Sequence, residues 1–323
     1  MELAAKKRLQ VYAGRSHPAL AEQIVEHLGV ELGEANLRTF ANGEIHCQFG
    51  ESVRGSDVFI IQTHAEPIHE AIMEQLIMID AASRASAKRI TAVCPYYGYS
   101  RQDRKAEGRE PISAKLLANM LVVAGANRMV SVDLHSGQIQ GFFDKPVDHL
   151  TAMPVLLEYL REHGGDDLVI VSPDAGRVKV AERYSQHLQA DLAFVHKTRP
   201  KGTKSTVEAK GVIGDVDGRR CVVIDDMIGT AGTICAAAEI LKEKGASEVW
   251  AMATHGLLSD PAVDRLKNSA FERIVITDTV PLPPEKEFDK IEVLSVSKII
   301  AAAIDAVFDD TSVSEIFGGE NQT

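Results

Sequence analysis

The stretch 221–233, CVVIDDMIGTAGT, constrains the fold of this chain more than any other. Its apolar start, 221–224, predicts a buried strand, and the alanine-rich run 234–244 predicts a helix. A loop of small residues, 229–233, joins the two. Backbone N–H groups at a helix N-terminus bind anions, and the helix dipole adds to that preference. The stretch therefore predicts an anion site at the end of a strand.

Two adjacent acids stand between this strand and the loop. Carboxylates repel a phosphate but accept hydrogen bonds from sugar hydroxyls, so the combination fits a pentose 5-phosphate. The loop has neither the Gly-Lys-Ser/Thr of a P-loop nor the glycine pattern of a dinucleotide site. A plain strand-to-helix turn is the alternative. The residues predicted to bind the sugar phosphate are Asp225, Asp226, Gly229, Thr230, Ala231, Gly232 and Thr233.

The length of 323 residues predicts two domains, which we place at 1–150 and 151–323. Alternating strand-like and helix-like segments predict an α/β fold with mostly parallel sheets flanked by helices. The net charge of −11 argues against a general nucleic-acid binder. The chain has no apolar run long enough to span a membrane and no secretory signal, so we expect a cytoplasmic protein without membrane or nucleic-acid partners.

The two halves share a pattern that indicates an internal repeat. Residues 59–61 and 222–224 are apolar strands that each precede a helix, and 88–93 and 247–252 each follow a helix and open a strand. We therefore expect two related domains, of which only the second kept the sugar-phosphate loop.

Two segments of the first half have the composition of a nucleotide site. The segment 96–105, YYGYSRQDRK, combines aromatic rings for a base with cations for phosphate oxygens, although a solvated loop is the alternative. Asn42 and Gly43 predict a hairpin turn, and Phe40 and Glu44 beside it are candidates to cover a base.

Acids and a histidine at further strand ends are candidate metal ligands. Asp133, His135 and Asp174 each follow an apolar strand. Mg²⁺ uses few protein ligands and leaves room for substrate phosphates, but histidine is an uncommon ligand for it. A packed polar residue is therefore the alternative for His135.

The polar segment 196–210 carries five cations in an acidic protein. A segment with so little apolar content is expected to be mobile, which suits a lid that closes over phosphate. A simple surface loop is the alternative.

Seven segments over nearly the whole chain resemble those of the ribose-phosphate diphosphokinases. They are FANGE (40–44), VRGSD (53–57), CPYYGYSRQDRK (94–105), VDLHSGQIQGFFD (132–144), SPDAGR (172–177), KTRP (197–200) and the stretch 221–233. The resemblance implies transfer of the diphosphoryl group of Mg-ATP to O1 of ribose 5-phosphate, which gives 5-phosphoribosyl 1-diphosphate and AMP. It also implies two domains like type I phosphoribosyltransferases, Mg²⁺ as cofactor, and a homo-oligomer, usually a hexamer.

The resemblance implies a role for each matching residue. Those on ATP, on the 1–150 side, would be Phe40, Asn42, Gly43, Glu44, Arg101 and Gln102. His135 and Asp174 would contact Mg²⁺, Lys197 and Arg199 would close over the transferred group, and the acid pair with its loop would hold ribose 5-phosphate on the 151–323 side. The family usually has aspartate where Gly229 stands, so one carboxylate near the sugar is missing.

A second resemblance concerns regulation. Segments of this chain are similar to those that build the effector site in phosphate-activated members, with inorganic phosphate and ADP as the expected effectors. The residues concerned are Ser52, Arg54, Arg84, Ser312 and Ser314. A solvated surface is the alternative for each.

Two other functions stay open at this point. A phosphoribosyltransferase would use the diphosphorylated sugar but would need neither the Arg101 loop nor two domains. A catalytically silent regulatory homologue should have lost lid cations or metal ligands, yet Lys197, Arg199, His135 and Asp174 are all present.

Overall fold

The computed structural model describes residues 7–198 and 208–317. The strands are β1 (Leu9–Ala13), β2 (Ala35–Thr39), β3 (Ile45–Phe49), β4 (Asp57–Ile61), β5 (Arg89–Cys94), β6 (Arg128–Val132), β7 (Val147–Leu150), β8 (Leu168–Ser172), β9 (Asp191–Thr198), β10 (Glu208–Ile213), β11 (Arg220–Ile228), β12 (Glu248–Gly256), β13 (Arg273–Thr277) and β14 (Ile291–Leu294). The α-helices are α1 (Pro18–Leu28), α2 (Ile68–Arg84), α3 (Ser113–Ala124), α4 (Met153–His163), α5 (Val178–Leu188), α6 (Gly232–Glu243), α7 (Ala262–Lys267) and α8 (Ser297–Asp309). Short 3-10 helices lie at Gly137–Phe142, Pro284–Lys286 and Val313–Phe317.

The chain forms two compact units, and the first is made from three stretches. Within the described residues, unit 1 comprises 7–151, 279–281 and 296–317, and unit 2 comprises 152–278 and 282–295. The sequence pattern assigns all of 151–323 to a second domain. The structure instead groups the C-terminal helix α8 with unit 1, because α8 packs on α1.

Each unit is built on its own sheet. Unit 1 has a parallel sheet in the order β1-β4-β5-β6-β7 and a separate antiparallel hairpin, β2–β3. Unit 2 has a sheet in the order β10-β9-β8-β11-β12-β13-β14, in which only the β9–β10 pairing is antiparallel. Strands such as β4 are buried along their whole length, as expected where helices cover both faces of a parallel sheet.

The two units repeat one order of elements. Unit 1 runs β1, α1, a hairpin, β4, α2, β5, α3, β6 and β7, and unit 2, after its first helix α4, runs β8, α5, a hairpin, β11, α6, β12, α7, β13 and β14. Residues 59–61 therefore correspond to 222–224, and 88–93 to 247–252, so the predicted repeat is confirmed. Each unit also has its own hydrophobic core, which includes Ile60 and Leu121 in unit 1 and Val223 and Leu241 in unit 2.

Charged pairs hold the end of α8 in unit 1. Asp310 accepts hydrogen bonds from Lys7 and from Arg89, and Arg89 also pairs with the buried Asp57 at 2.5 Å. These contacts join the C-terminal segment to the starts of β4 and β5.

No helix in the described part of the chain is long and apolar enough to cross a membrane. The cytoplasmic location stays a prediction.

Candidate active site

The acid pair lies inside strand β11, not after it. The predicted strand ends at residue 224, but β11 continues to Ile228 because it keeps pairing with β12. On its other side, pairing with β8 ends at Val223. Asp225 and Asp226 therefore lie where β11 has lost one neighbour, beside the loop that follows β8.

Arg177 from the loop after β8 contacts both acids. Its Nε lies 3.4 Å from Oδ1 of Asp225, and its Nη2 lies 2.6 Å from Oδ1 of Asp226. All three side chains are largely withdrawn from solvent, with 17%, 19% and 10% exposed, respectively. The cation thus offsets part of the charge that two adjacent carboxylates bring into this site.

Burial and the negative charge of Asp226 raise the pKa of Asp225 well above the usual carboxyl range, and Arg177 opposes that rise. The backbone N–H of Asp226 also donates to Oδ1 of Asp225 at 2.8 Å, which favours the ionised form. Such opposed effects at one buried carboxyl are typical of functional sites.

The small-residue loop leads directly into α6. This helix begins at Gly232, two residues earlier than predicted, and is preceded by Ala231 in the left-handed conformation with φ of 60°. Ala231 provides no side-chain cap for the first turn. Arg265 of α7 donates to the carbonyl oxygen of Thr230 at 2.9 Å and so braces the loop from outside. A helix N-terminus without a side-chain cap retains backbone donors suited to an anion.

Asp174 lies in the same loop as Arg177. Its carboxylate accepts the backbone N–H of Gly176 at 2.9 Å, and its carbonyl accepts the hydroxyl of Ser172 at 2.6 Å. The side chain is half-buried. A fixed carboxylate at the end of β8, next to the end of β11, has the donor type that Mg²⁺ prefers.

Arg101 and Gln102 of unit 1 lie in the segment 96–102, which follows β5 and is called the nucleotide loop below. Both side chains are exposed. Gln102 accepts the hydroxyl of Ser113 at 2.6 Å and, through its carbonyl, the N–H of Ala114 at 3.2 Å. These bonds attach the far end of the nucleotide loop to the start of α3.

The residues 40–44 form the tip of the β2–β3 hairpin. The N–H of Phe40 donates to the carbonyl of Glu44, and the N–H of Gly43 donates to the carbonyl of Phe40, both at 2.8 Å. Gly43 has a φ of 90°, which only glycine adopts easily, so the predicted hairpin turn is confirmed. The N–H of Glu44 donates to the side-chain oxygen of Asn42. The ring of Phe40 is 44% exposed, with Arg38 at 5.2 Å from its centroid.

The structure does not bond this hairpin tip to the nucleotide loop. Among the described residues, no hydrogen bond or ion pair joins Phe40, Asn42, Gly43 or Glu44 to Arg101 or Gln102. A shared role in holding ATP therefore stays a prediction.

His135 and Asp174 belong to different units, and their joint role in metal binding stays a prediction. Within 7–198 and 208–317, no group of three or more His, Cys, Asp or Glu side chains is placed to hold a metal ion. His135 is half-buried in the segment after β6.

The ends of the predicted lid are strands. The composition of 196–210 predicts a loop, but β9 continues to Thr198 and β10 begins at Glu208, with Lys197 opposite Ala209. The predicted catalytic residue Arg199 and the rest of 199–207 lie outside the described residues.

The predicted regulatory residues all belong to unit 1 and are exposed. The hydroxyl of Ser52 accepts the N–H of Arg54, and the next residue, Gly55, donates to the carbonyl of Ser86 just after α2, which ends at Arg84. The hydroxyls of Ser312 and Ser314 lie 2.8 Å apart. The Arg89–Asp310 pair places this C-terminal segment near the start of β5, which follows Ser86 closely.

Two residues make contacts at the predicted sugar-phosphate site that the sequence does not reveal. In the sequence, Arg177 is noticeable only as part of the segment SPDAGR (172–177), and no sequence feature distinguishes Arg265. Strand order would point to Arg177, because the loop after β8 can contact acids in β11 only if the two strands are neighbours.

Comparisons with known proteins agree with the geometry. Residues 9–125 match the model of the N-terminal domain of ribose phosphate pyrophosphokinase, and residues 200–318 match that of the phosphoribosyl synthetase-associated domain. A ribose-phosphate pyrophosphokinase of Bifidobacterium longum is 55% identical over 315 residues, which is 96% of this chain and 93% of that protein. One of Streptomyces avermitilis is 53% identical over 318 residues, 98% of each chain.

A solved structure is similar over almost the same length. The crystal structure of phosphoribosylpyrophosphate synthetase from Mycobacterium smegmatis is 50% identical, with a TM-score of 0.89, and the match covers 94% of this chain and 99% of that one. On these matches, the chain belongs to the ribose-phosphate pyrophosphokinase family.

Proposed function

We propose that this enzyme transfers the diphosphoryl group of ATP to O1 of ribose 5-phosphate and releases 5-phosphoribosyl 1-diphosphate and AMP. The observation that carries the proposal is the arrangement in unit 2. A half-neutralised acid pair in β11 is followed within a few residues by the uncapped N-terminus of α6. These groups offer acceptors suited to sugar hydroxyls and, a few residues further on, donors suited to the 5-phosphate of the same small molecule.

In this proposal each unit binds one of the two substrates. Asp225 and Asp226 accept the ribose hydroxyls, and the backbone and hydroxyl groups of the loop Gly229, Thr230, Ala231, Gly232 and Thr233 hold the 5-phosphate. The substitution of glycine for the usual aspartate at 229 leaves these donors in place. ATP is held by unit 1, through the nucleotide loop and the hairpin tip.

Asp174 fits a role in holding Mg²⁺, with His135 as a second candidate. Mg²⁺ is commonly bound through one or two carboxylates together with substrate phosphates and waters, so a cluster of three protein ligands is not required. When bound, the ion neutralises phosphate charge. Asp174 contributes a half-buried carboxylate that its bond to the N–H of Gly176 keeps oriented.

In the transfer, O1 of the sugar forms a bond to the β-phosphorus while the bond from that phosphorus to the oxygen shared with the α-phosphate breaks. That oxygen leaves as part of AMP, and the proton of O1 passes to solvent. Such reactions depend on positioning and on charge stabilisation. Lys197 and Arg199 are the proposed cations on the transferred group.

The test is product analysis with ATP labelled on the β-phosphate. The protein is incubated with Mg-ATP, with and without ribose 5-phosphate. We expect AMP only when the sugar phosphate is present, and the label in the diphosphorylated sugar. Label released as inorganic diphosphate would indicate hydrolysis and contradict the proposal. Binding of both substrates without AMP would identify a catalytically silent homologue.

Assembly and effectors complete the proposal. We propose a homo-oligomer, a hexamer by analogy with the family, and an effector site for inorganic phosphate or ADP at Ser52, Arg54, Arg84, Ser312 and Ser314. Arginines and hydroxyls are suitable ligands for such anions. A cytoplasmic location is part of the same proposal, since both substrates are phosphorylated metabolites.

A further inference from the structure

The segment after β4 occupies the place in unit 1 that the sugar-phosphate loop occupies in unit 2. Both follow corresponding strands, β4 and β11, and both precede corresponding helices, α2 and α6. The unit 1 segment, 62–67, reads QTHAEP and contains no glycine. It therefore lacks the glycines that let a backbone approach a phosphate closely.

This segment is instead bonded to the nucleotide loop. The N–H of Tyr96 donates to Oγ1 of Thr63 at 3.1 Å, and the N–H of His64 donates to the carbonyl of Tyr96, also at 3.1 Å. The hydroxyl of Thr63 in turn donates to the carbonyl of Thr279 at 2.6 Å. The first residue of the nucleotide loop is thus held by bonds on both its N–H and its carbonyl.

His64 makes the next contact along the loop. Its Nδ1 accepts the N–H of Gly98 at 2.9 Å, so the ring proton lies on Nε2 and is donated to Oε1 of Gln75, also at 2.9 Å. The side-chain amide of Gln75 donates to the carbonyls of Ile60 and Val93 in the sheet. His64 is only 1% exposed, and burial lowers its pKa to about 4, so the ring is neutral near pH 7.

The close approach of the two segments needs glycine at residue 98. A Cβ there would lie 2.9 Å from Cβ of His64 and 3.1 Å from Cδ1 of Ile68. Gly98 is three residues before Arg101 and four before Gln102, whose other anchor is the start of α3. A displacement at Gly98 would therefore move both candidate nucleotide ligands.

We propose that His64, with Thr63, is a positioning residue for ATP: it fixes the nucleotide loop from a segment that corresponds to the sugar-phosphate loop of the other unit. The inference rests on the proposed function only in taking Arg101 and Gln102 as ligands of ATP. His64 acts through Gly98 and not by touching the nucleotide.

The test compares His64→Leu with His64→Asn. Both variants lose the bond to Gln75, but the side-chain oxygen of asparagine can accept the N–H of Gly98 where Nδ1 did, whereas leucine has no acceptor. We expect His64→Leu to weaken Mg-ATP binding about tenfold or more in calorimetric titrations. His64→Asn should stay within about threefold of wild type, and ribose 5-phosphate binding should change less than about twofold in either variant.

The readouts separate this inference from the proposed function. Wild-type protein that binds Mg-ATP but forms no AMP would refute the function and leave the binding comparison valid. Equal Mg-ATP affinity of the two variants, an equal loss for both ligands, or a wild type that does not bind Mg-ATP would overturn the inference. If His64→Leu does not fold, Thr63→Val against Thr63→Ser makes the same comparison, since only serine keeps the hydroxyl.

Discussion

Replacement of Asp225 by asparagine should weaken binding of ribose 5-phosphate, and it should stabilise the fold at pH values above the raised pKa of Asp225. Above the raised pKa of Asp225 both carboxyls are ionised, and the pair then carries two negative charges against the one positive charge of Arg177. In Asp225→Asn, Arg177 keeps its 2.6 Å contact with Asp226, and the second negative charge never forms. When Asp225 is ionised, the charged hydrogen bond to a ribose hydroxyl that the variant loses is worth about 1.5–3 kcal/mol. This predicts an affinity for ribose 5-phosphate that is about tenfold to hundredfold weaker above the raised pKa of Asp225.

The effect on stability depends on pH. The pKa of Asp225 is raised from 3.8 to about 8 in the folded chain, so the folded state binds an extra proton between these values. Stability therefore falls as pH rises through this window. Wild type should therefore be less stable at pH 8 than at pH 6, and Asp225→Asn should not show this decrease.

The assay is urea unfolding followed by the fluorescence of Trp250, the single tryptophan, which is buried in β12 beside β11. Wild type, Asp225→Asn and the exposed control Asp289→Asn are compared at pH 6 and pH 8. The control should show the pH dependence of the wild type. An equally steep decrease in Asp225→Asn would refute the assignment of the proton to this site, and an unchanged KM for ribose 5-phosphate would refute its role in binding.

Four further predictions concern the loop, the lid and the effector site. Arg265→Ala should raise the KM for ribose 5-phosphate about threefold to tenfold, because the carbonyl of Thr230 loses a charged hydrogen bond and the loop is less fixed; an unchanged KM in steady-state kinetics would count against it. Ala231→Gly should leave the KM for ribose 5-phosphate within about threefold of wild type, whereas Ala231→Val should raise it more than about tenfold. The reason is that a β-branched residue is strained at a φ of 60° and that residue 231 is buried. Similar KM values for both variants would contradict this reasoning. Lys197→Ala should lower kcat about 10³-fold or more while both KM values move less than about tenfold, as expected for a cation that acts mainly in the transition state; a kcat close to wild type would leave this residue a surface lysine. Arg54→Ala should abolish the response of activity to inorganic phosphate, which the exposed control Arg161→Ala should retain; an identical response in both variants would remove Arg54 from the site.

Much of the fold can be predicted from local patterns. Apolar runs locate β4, β6 and β11, and the order of apolar strands and helices along the chain indicates the repeat. The acid pair and the loop after it can be assigned a chemistry because the residue types, in that order, fit one class of ligand. Each of these features depends on residues that are close together in the chain, so each can be predicted from a short stretch of sequence.

Features that depend on contacts between distant segments cannot be predicted in this way. Arg177 contacts Asp225 only because β8 and β11 are neighbours, and strand order is set by packing. The predicted end of β11 is wrong because the last residues of this strand, which include two acids, pair with β12 on one side only. His64 belongs to no motif, and its role follows from the close approach of Gly98.

Helix α8 follows the strands of unit 2 in the chain but belongs to unit 1, and this affects the order in which the chain can fold during synthesis. The ribosome makes the sheet of unit 1 first, but helix α8, which packs on α1, emerges only after all the strands of unit 2. Domains usually fold as units in the order of synthesis. Here all the strands of unit 2 have been synthesised before unit 1 is complete. Unit 1 therefore begins to fold first but finishes last. A nascent chain that stalls before α8 leaves the apolar face of α1 exposed.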